Sequence, residues 1–122
     1  MGILMKTFSL ALLKHPRVNS TYTPSSHPNS YELHSSHNIS LAIDSPSGLV
    51  VPNIKNVQNL SLLDIQNELE NLKNMANKAE LKRNNLEGGT ICLSNIGTIA
   101  GVSACPLILP PQICIVAIGK VL

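Results

Sequence analysis

Tryptophan is absent from this chain of 122 residues, and its only aromatic residues are Phe8, Tyr22 and Tyr31. That scarcity removes the stacking platforms on which single-stranded nucleic acid binds, and it requires a core built from Leu, Ile and Val. Charge is also sparse: nine basic and seven acidic residues leave a net +2, and only Lys82 and Arg83 adjoin. No basic stripe exists to neutralise phosphates, so no nucleic-acid partner is expected. The three cysteines, Cys92, Cys105 and Cys114, are odd in number and contain no Cys-x-x-Cys pair. A disulfide framework or a zinc site is therefore not expected, and the thiols read as buried and free in a reducing compartment. No apolar run is long enough to cross a bilayer, so no membrane partner is expected. Phosphate-loop and dinucleotide fingerprints are missing, as is the Gly-x-Ser-x-Gly elbow, which leaves little support for nucleotide chemistry or a serine hydrolase.

What is present reads as one domain, or part of one, with enough residues to bury roughly two thirds of its unfolded surface. Met1 to His15 has the pattern of an amphipathic helix, with Leu4, Phe8 and Leu12 on one face flanked by Ala11 and with Pro16 ending it. The run Phe8–Leu13 is too short for a secretory signal, and Lys6 breaks the Met-Gly acylation pattern. Asn19 to Ser36 is a polar loop with at most a short strand around Tyr31–Leu33. His27, His34 and His37 lie in or near it without the helix or carboxylates that would support a metal, so structural or exposed roles are expected. Sequons begin at Asn19, Asn38 and Asn59, as chance allows in a chain rich in Asn.

Ile39–Asp44, the turn Ser45–Gly48 and Leu49–Ile54 form a β-hairpin pattern. Ser61 to about Ala79 is a helix, capped by Ser61 with Asp64 three residues on, and its apolar stripe is Leu62, Ile65, Leu69, Leu72, Ala76 and Ala79. Leu81–Leu86 is a polar turn or short helix. Gly88-Gly89 then opens the apolar run Thr90–Leu93, which ends in Ser94-Asn95-Ile96-Gly97, and Pro110-Pro111 leads into a second apolar strand, Ile113 to Gly119. The order helix, loop, hairpin, helix, strand, loop, strand indicates a two-layer α/β sandwich. Ser94 sits where a buried strand surfaces. As a nucleophile it would need a base and an orienting group, and neither is visible at a recognisable spacing. It suits a hydrogen-bond donor to an oxyanion, or a turn hydroxyl that satisfies local backbone.

Gly-Gly-Thr-x-x-x-Ser-Asn-x-Gly over 88–97, Pro110-Pro111 with Gly119, and Gly-Leu-x-Val-Pro-x-Ile-Lys over 48–55 resemble the catalytic domain of the dihydrolipoyl acyltransferases of 2-oxoacid dehydrogenase complexes, most of all the branched-chain type. Ser36-His37-Asn38-Ile39 strengthens the likeness. The resemblance implies the chloramphenicol-acetyltransferase-like sandwich and transfer of an acyl group from dihydrolipoamide to coenzyme A. It also implies a homotrimer built into a larger cage with other dehydrogenase-complex subunits, and residence in the mitochondrial matrix. Ser94 takes the oxyanion-stabilising role, with Asn95 and Gly97 near the coenzyme A and lipoamide path and no metal. Ala100 to Cys105 departs from the family's glycine-rich loop. The family's general base is a histidine in Asp-His-Arg-x-x-Asp-Gly, which none of the four histidines matches. Residues 1–122 are thus expected to be a partial catalytic domain without its lipoyl and subunit-binding domains, inactive alone and prone to associate. The alternative is a non-catalytic structural or interaction protein on the same domain. An unrelated secreted protein would instead carry glycan at Asn38.

Overall fold

The computed structural model describes residues 1–24, 30–97 and 103–120. Helix α1 spans Gly2–Lys14, and two short strands, β1 (Ser20–Thr21) and β2 (Glu32–Leu33), pair antiparallel. The next four strands are β3 (Ile39–Leu41), β4 (Ile43–Ser45), β5 (Gly48–Val50) and β6 (Asn53–Ile54). Helix α2 (Leu62–Asn77), the single turn α3 (Arg83–Leu86), β7 (Ile91–Asn95) and β8 (Ile115–Ile118) follow. The main sheet has the order β6-β3-β7-β8. Strand β7 runs parallel to both β3 and β8, while β6 is antiparallel to β3. A parallel return needs a long crossover, which the stretch containing α2 and α3 provides between β3 and β7.

The four central strands are one hairpin with a break in it. Ile39↔Ile54 and Ser40↔Asn53 keep the register of Ile43↔Val50, Asp44↔Leu49 and Ser45↔Gly48. The break falls at Pro52, which has no N–H to give the ladder, although its carbonyl accepts from the Leu41 N–H at 2.8 Å. The turn is shorter than the sequence pattern implies, because Ser45 and Gly48 already pair as strand.

Helices α1 and α2 cover one face of the main sheet. Met5 and Leu12 of α1 meet Ile65, Leu69, Leu72 and Ala76 of α2 over Ile39, Leu41, Ile91 and Leu93. Each Leu, Ile or Met side chain among them contributes about 1.5–3 kcal/mol when fully withdrawn from water, and Ala76 less. The α2 stripe is legible apart from its ends. Leu62 is 51% exposed, and Ala79 lies beyond the helix. The face of α1 is corrected in part: Leu12 is buried and Phe8 packs half-buried against the core as expected, but Gly2, Met5 and Ser9 complete the buried side while Leu4 and Ala11 are exposed. This helix is apolar around most of its circumference, so hydrophobicity cannot choose the buried side. Two polar contacts do. Lys6 Nζ donates to the carbonyls of Val57 (3.3 Å), Gln58 (3.0 Å) and Leu60 (2.7 Å), and Ser9 shares a 2.7 Å hydrogen bond with His37 Nδ1.

Among the described residues of Asn19–Ser36 the expected short strand is present as β2, and β1 pairs with it. Asn19 is buried, and its Nδ2 donates to the carbonyls of His34 (3.1 Å) and Ser36 (3.0 Å), which holds β1 beside β2. With both amide hydrogens engaged, Asn19 offers no glycan attachment in the folded protein. His34 shares a 2.6 Å hydrogen bond with Thr21, so His34 and His37 have structural roles; His27 lies outside the described residues.

Both ends of α2 are closed by recognisable chemistry. The Asp64 N–H donates to Ser61 Oγ and the Ser61 N–H to Asp64 Oδ2, each at 3.1 Å. At the other end Glu80 N–H reaches the Met75 carbonyl (2.8 Å) and Ala79 N–H the Ala76 carbonyl (3.1 Å), with Ala79 left-handed at φ 56°. That pairing is a Schellman closure with alanine where glycine is unstrained. Ala79→Gly is therefore expected to raise stability by about 0.5–1 kcal/mol in urea unfolding, with Ser61→Ala lowering it by about 1 kcal/mol.

Candidate functional site

Alternation along β7 divides its side chains between the two faces of the sheet. Ile91, Leu93 and Asn95 share the helix-covered face, and Cys92 and Ser94 share the other. Register places Ser40 beside Cys92 and Ala117 beside Ser94 on that second face. Ser94 is half-buried one residue before the carboxyl end of β7. Among the described residues its hydroxyl has no hydrogen-bond partner, so it is free to donate. The carboxyl ends of parallel strands are where open α/β sheets commonly hold ligands.

Asn95 does not join Ser94. It borders a cavity of about 230 Å3 with Asp44, Lys73 and Leu41, on the helix side. Its Oδ1 accepts the Gly97 N–H at 3.1 Å, a local turn that ends the strand. Gly97 is needed for another reason. A Cβ there would lie 2.8 Å from the Gly119 carbonyl oxygen, which is backbone and cannot swing aside. Ile96 N–H donates to the Ile118 carbonyl at 2.9 Å, so the ends of β7 and β8 are locked together just past Ser94. Of the three sequence-derived candidates, Ser94 offers an unengaged hydroxyl on the second face, while Asn95 Oδ1 and Gly97 close the turn that follows it.

The other end of that face brings together residues that the sequence reading names only as motif letters, Gly88-Gly89, Pro110-Pro111 and Val51, with Gln112, to which it gives no role. A cleft of about 480 Å3 runs between Gly88-Gly89 and Leu109–Gln112, with Ser40 and Val51 in its walls. Gln112 Nε2 donates to Ser40 Oγ at 3.2 Å, which secures the approach to β8 against β3. A Cβ on Gly89 would collide with Ser40 Oγ and come within 2.8 Å of Gln112 Nε2, so a side chain there would push apart the bonded pair. Polar residues before an apolar strand carry no periodic signal, and only the three-dimensional convergence identifies them.

The thiols separate by environment. Burial pushes the Cys92 thiol up to about 11 and raises that of Cys114 as well. Cys105 is exposed, which corrects the expectation that all three are buried. Among the described residues no cluster of three metal-ligating side chains occurs.

A family model for the 2-oxoacid dehydrogenases acyltransferase (catalytic domain) matches residues 1–122. The chain is 48% identical over 121 residues to the mitochondrial lipoamide acyltransferase component of the branched-chain alpha-keto acid dehydrogenase complex of Caenorhabditis elegans, covering 99% of this chain and 27% of that protein. It superposes with a TM-score of 0.91 and 29% identity on the Azotobacter vinelandii dihydrolipoamide acetyltransferase, covering 98% of this chain and 48% of that one. That structure addresses the role of a serine, a histidine and an asparagine in its own catalytic mechanism. The cubic core of the pyruvate dehydrogenase multienzyme complex matches with the same score, identity and coverage. The chain thus spans about a quarter of the curated relative and about half of the solved chains.

A neutral thiol reagent at pH 8 is expected to modify Cys105 fastest, Cys114 slowly and Cys92 only after unfolding, as followed by mass spectrometry. Gly97→Ala is expected to lower the thermal midpoint by several degrees, because the Gly119 carbonyl must move.

Proposed function

Because the chain belongs to the catalytic-domain family of the 2-oxoacid dehydrogenase acyltransferases, we propose that it serves in an acyltransferase that moves an acyl group from dihydrolipoamide to coenzyme A, in a complex of the branched-chain type. The observation that carries this reading is the 48% identity with the nematode branched-chain component across nearly all of the chain. In this reading residues 1–122 are part of the catalytic domain, built as a chloramphenicol-acetyltransferase-like sandwich. The protein is a homotrimer within a larger cage, working with the other dehydrogenase-complex subunits in the mitochondrial matrix. The mitochondrial description of the relative and the cubic core among the structural neighbours support this assignment.

The transfer exchanges one thioester for another and requires no metal. A histidine base, implied by the family resemblance to come from outside these residues, takes the thiol proton of coenzyme A. The thiolate adds to the acyl carbonyl, whose oxygen becomes an oxyanion, and collapse expels the dihydrolipoamide thiolate. Ser94 Oγ–H donates to that oxyanion. Its half-buried position and unengaged hydroxyl suit the role. A donor of this kind stabilises the transition state by about 3–4 kcal/mol. Asn95 and Gly97 border the substrate path by fixing the turn that follows Ser94. The histidine that shares a bond with Ser9 precedes β3 at the opposite end of the sheet, so it does not serve as this base.

The whole protein, assayed with acyl-dihydrolipoamide and coenzyme A, is expected to turn over, and Ser94→Ala is expected to lower kcat by about 10²–10³ with little change in melting temperature. Absence of turnover in a fully folded wild-type protein would instead favour the non-catalytic scaffold built on the same domain.

A further inference from the structure

His37 is a buried titratable group that the acyl-transfer chemistry does not use. It is 4% exposed, and Ser9, 1% exposed, shares the 2.7 Å bond with its Nδ1. Its backbone is fastened on both sides to the 3-10 turn Val57–Asn59: the His37 N–H donates to Gln58 Oε1 at 2.9 Å, and the Val57 N–H donates to the His37 carbonyl at 3.0 Å. Lys6 of α1 is fastened to the same turn through its three carbonyl contacts, so its ammonium cannot swing away from the corner. Three segments therefore meet at one knot that contains a neutral imidazole and a fixed positive charge.

The charges facing the ring decide what a proton would do there. From α1 the charged group is Lys6, and Ser9 is neutral; from the 3-10 turn the facing side chain is the neutral amide of Gln58. Burial, then the Lys6 charge, holds the imidazole below its ordinary value of 6.5, and no carboxylate offsets them. An imidazolium would be an uncompensated charge in a desolvated site beside a second cation.

We propose that the Ser9–His37 pair is a proton-operated latch for α1: with the imidazole neutral the helix stays docked against the segment entering β3, and protonation of His37 releases it. The latch reaches further than α1. Asn38, the next residue, exchanges hydrogen bonds with Thr90 through its carbonyl (2.8 Å from the Thr90 N–H) and its own N–H (3.1 Å to Thr90 Oγ1). Thr90 leads directly into β7, the strand that carries Ser94. Acidification thus loosens the corner from which β7 is positioned.

The sign follows from linkage. A docked state that resists protonation contributes stability that is complete above 6.5 and is lost as pH falls through the docked value. The test is amide hydrogen exchange of the whole protein between pH 8 and pH 5, corrected for intrinsic rates, with exchange of the His37 C2 hydrogen followed by mass spectrometry in parallel. The opening constant of α1 is expected to rise below pH 6.5, approaching about tenfold per pH unit until His37 titrates in the docked state. His37→Gln should flatten that rise in α1. Lys6→Met should weaken docking at every pH but shrink the part that depends on pH. The proposal fails if His37→Gln retains the wild-type pH dependence. It fails equally if, in the wild type, His37 takes up a proton while α1 protection stays flat, an outcome readable even when the variant does not fold. Neither measurement depends on acyl-transfer activity.

Discussion

One asparagine holds the two halves of this fold together. Asn38 bonds Thr90 through both of its backbone groups, donates from Nδ2 to the Gly88 carbonyl at 2.8 Å, and accepts the Asn56 N–H on Oδ1 at 2.9 Å. A single residue thereby ties the entry of β3 to the entry of β7 and to the exit of the hairpin at β6. These contacts cross 50 or more residues of sequence to Gly88 and Thr90, so the loop-closure entropy they oppose is considerable. The clamp lies one residue before the first pair of the parallel β3–β7 register, Ile39↔Ile91. A side chain with both a donor and an acceptor is required, because each end of the carboxamide has a different partner.

The elements that local physics determines were readable in the chain. The hairpin followed from alternation around Ser45–Gly48, and α2 from a capping pair and an apolar stripe that the structure retains at Ile65, Leu69, Leu72 and Ala76. What failed depended on distant partners. Strand β1 exists because Ser20 and Thr21 find Leu33 and Glu32, and two-residue strands have no periodicity to detect. The orientation of α1 was partly misread because its selection rests on Lys6 and Ser9, polar residues whose partners lie some thirty to fifty positions away. Hydrophobic pattern finds a buried face only when the opposite face is polar.

The site was legible to a similar depth. Ser94 at a strand exit, followed by a turn through Gly97, could be named from the run Ser-Asn-x-Gly, and the family likeness rested in part on the same letters; that Gly97 must be small is visible only against the Gly119 carbonyl. The separation of Ser94 from Asn95 onto opposite faces follows from strand periodicity once β7 is known to extend through both. The Ser40–Gln112 bond, which joins residues 72 positions apart, and the crowding of Gly89 against that pair could not be seen, because both arise from long-range packing. Sequence motifs report the groups that a family reuses; the contacts that hold those groups in place are spread too widely to form a motif.

The break at Pro52 has a consequence for how this chain can vary. Beyond it, β4 and β5 continue the hairpin as a two-stranded ribbon, paired with each other and not with β7 or β8. Residues added in matched pairs beside Pro46 and Ser47 would lengthen the ribbon while leaving every partner of β3 and β6 unchanged. A single added residue within either arm, by contrast, would turn the arm's inward side chains outward or demand a bulge. The ribbon is therefore a place where the protein can grow in even steps, whereas an insertion within Ile39–Leu41 would shift its register against two neighbours at once.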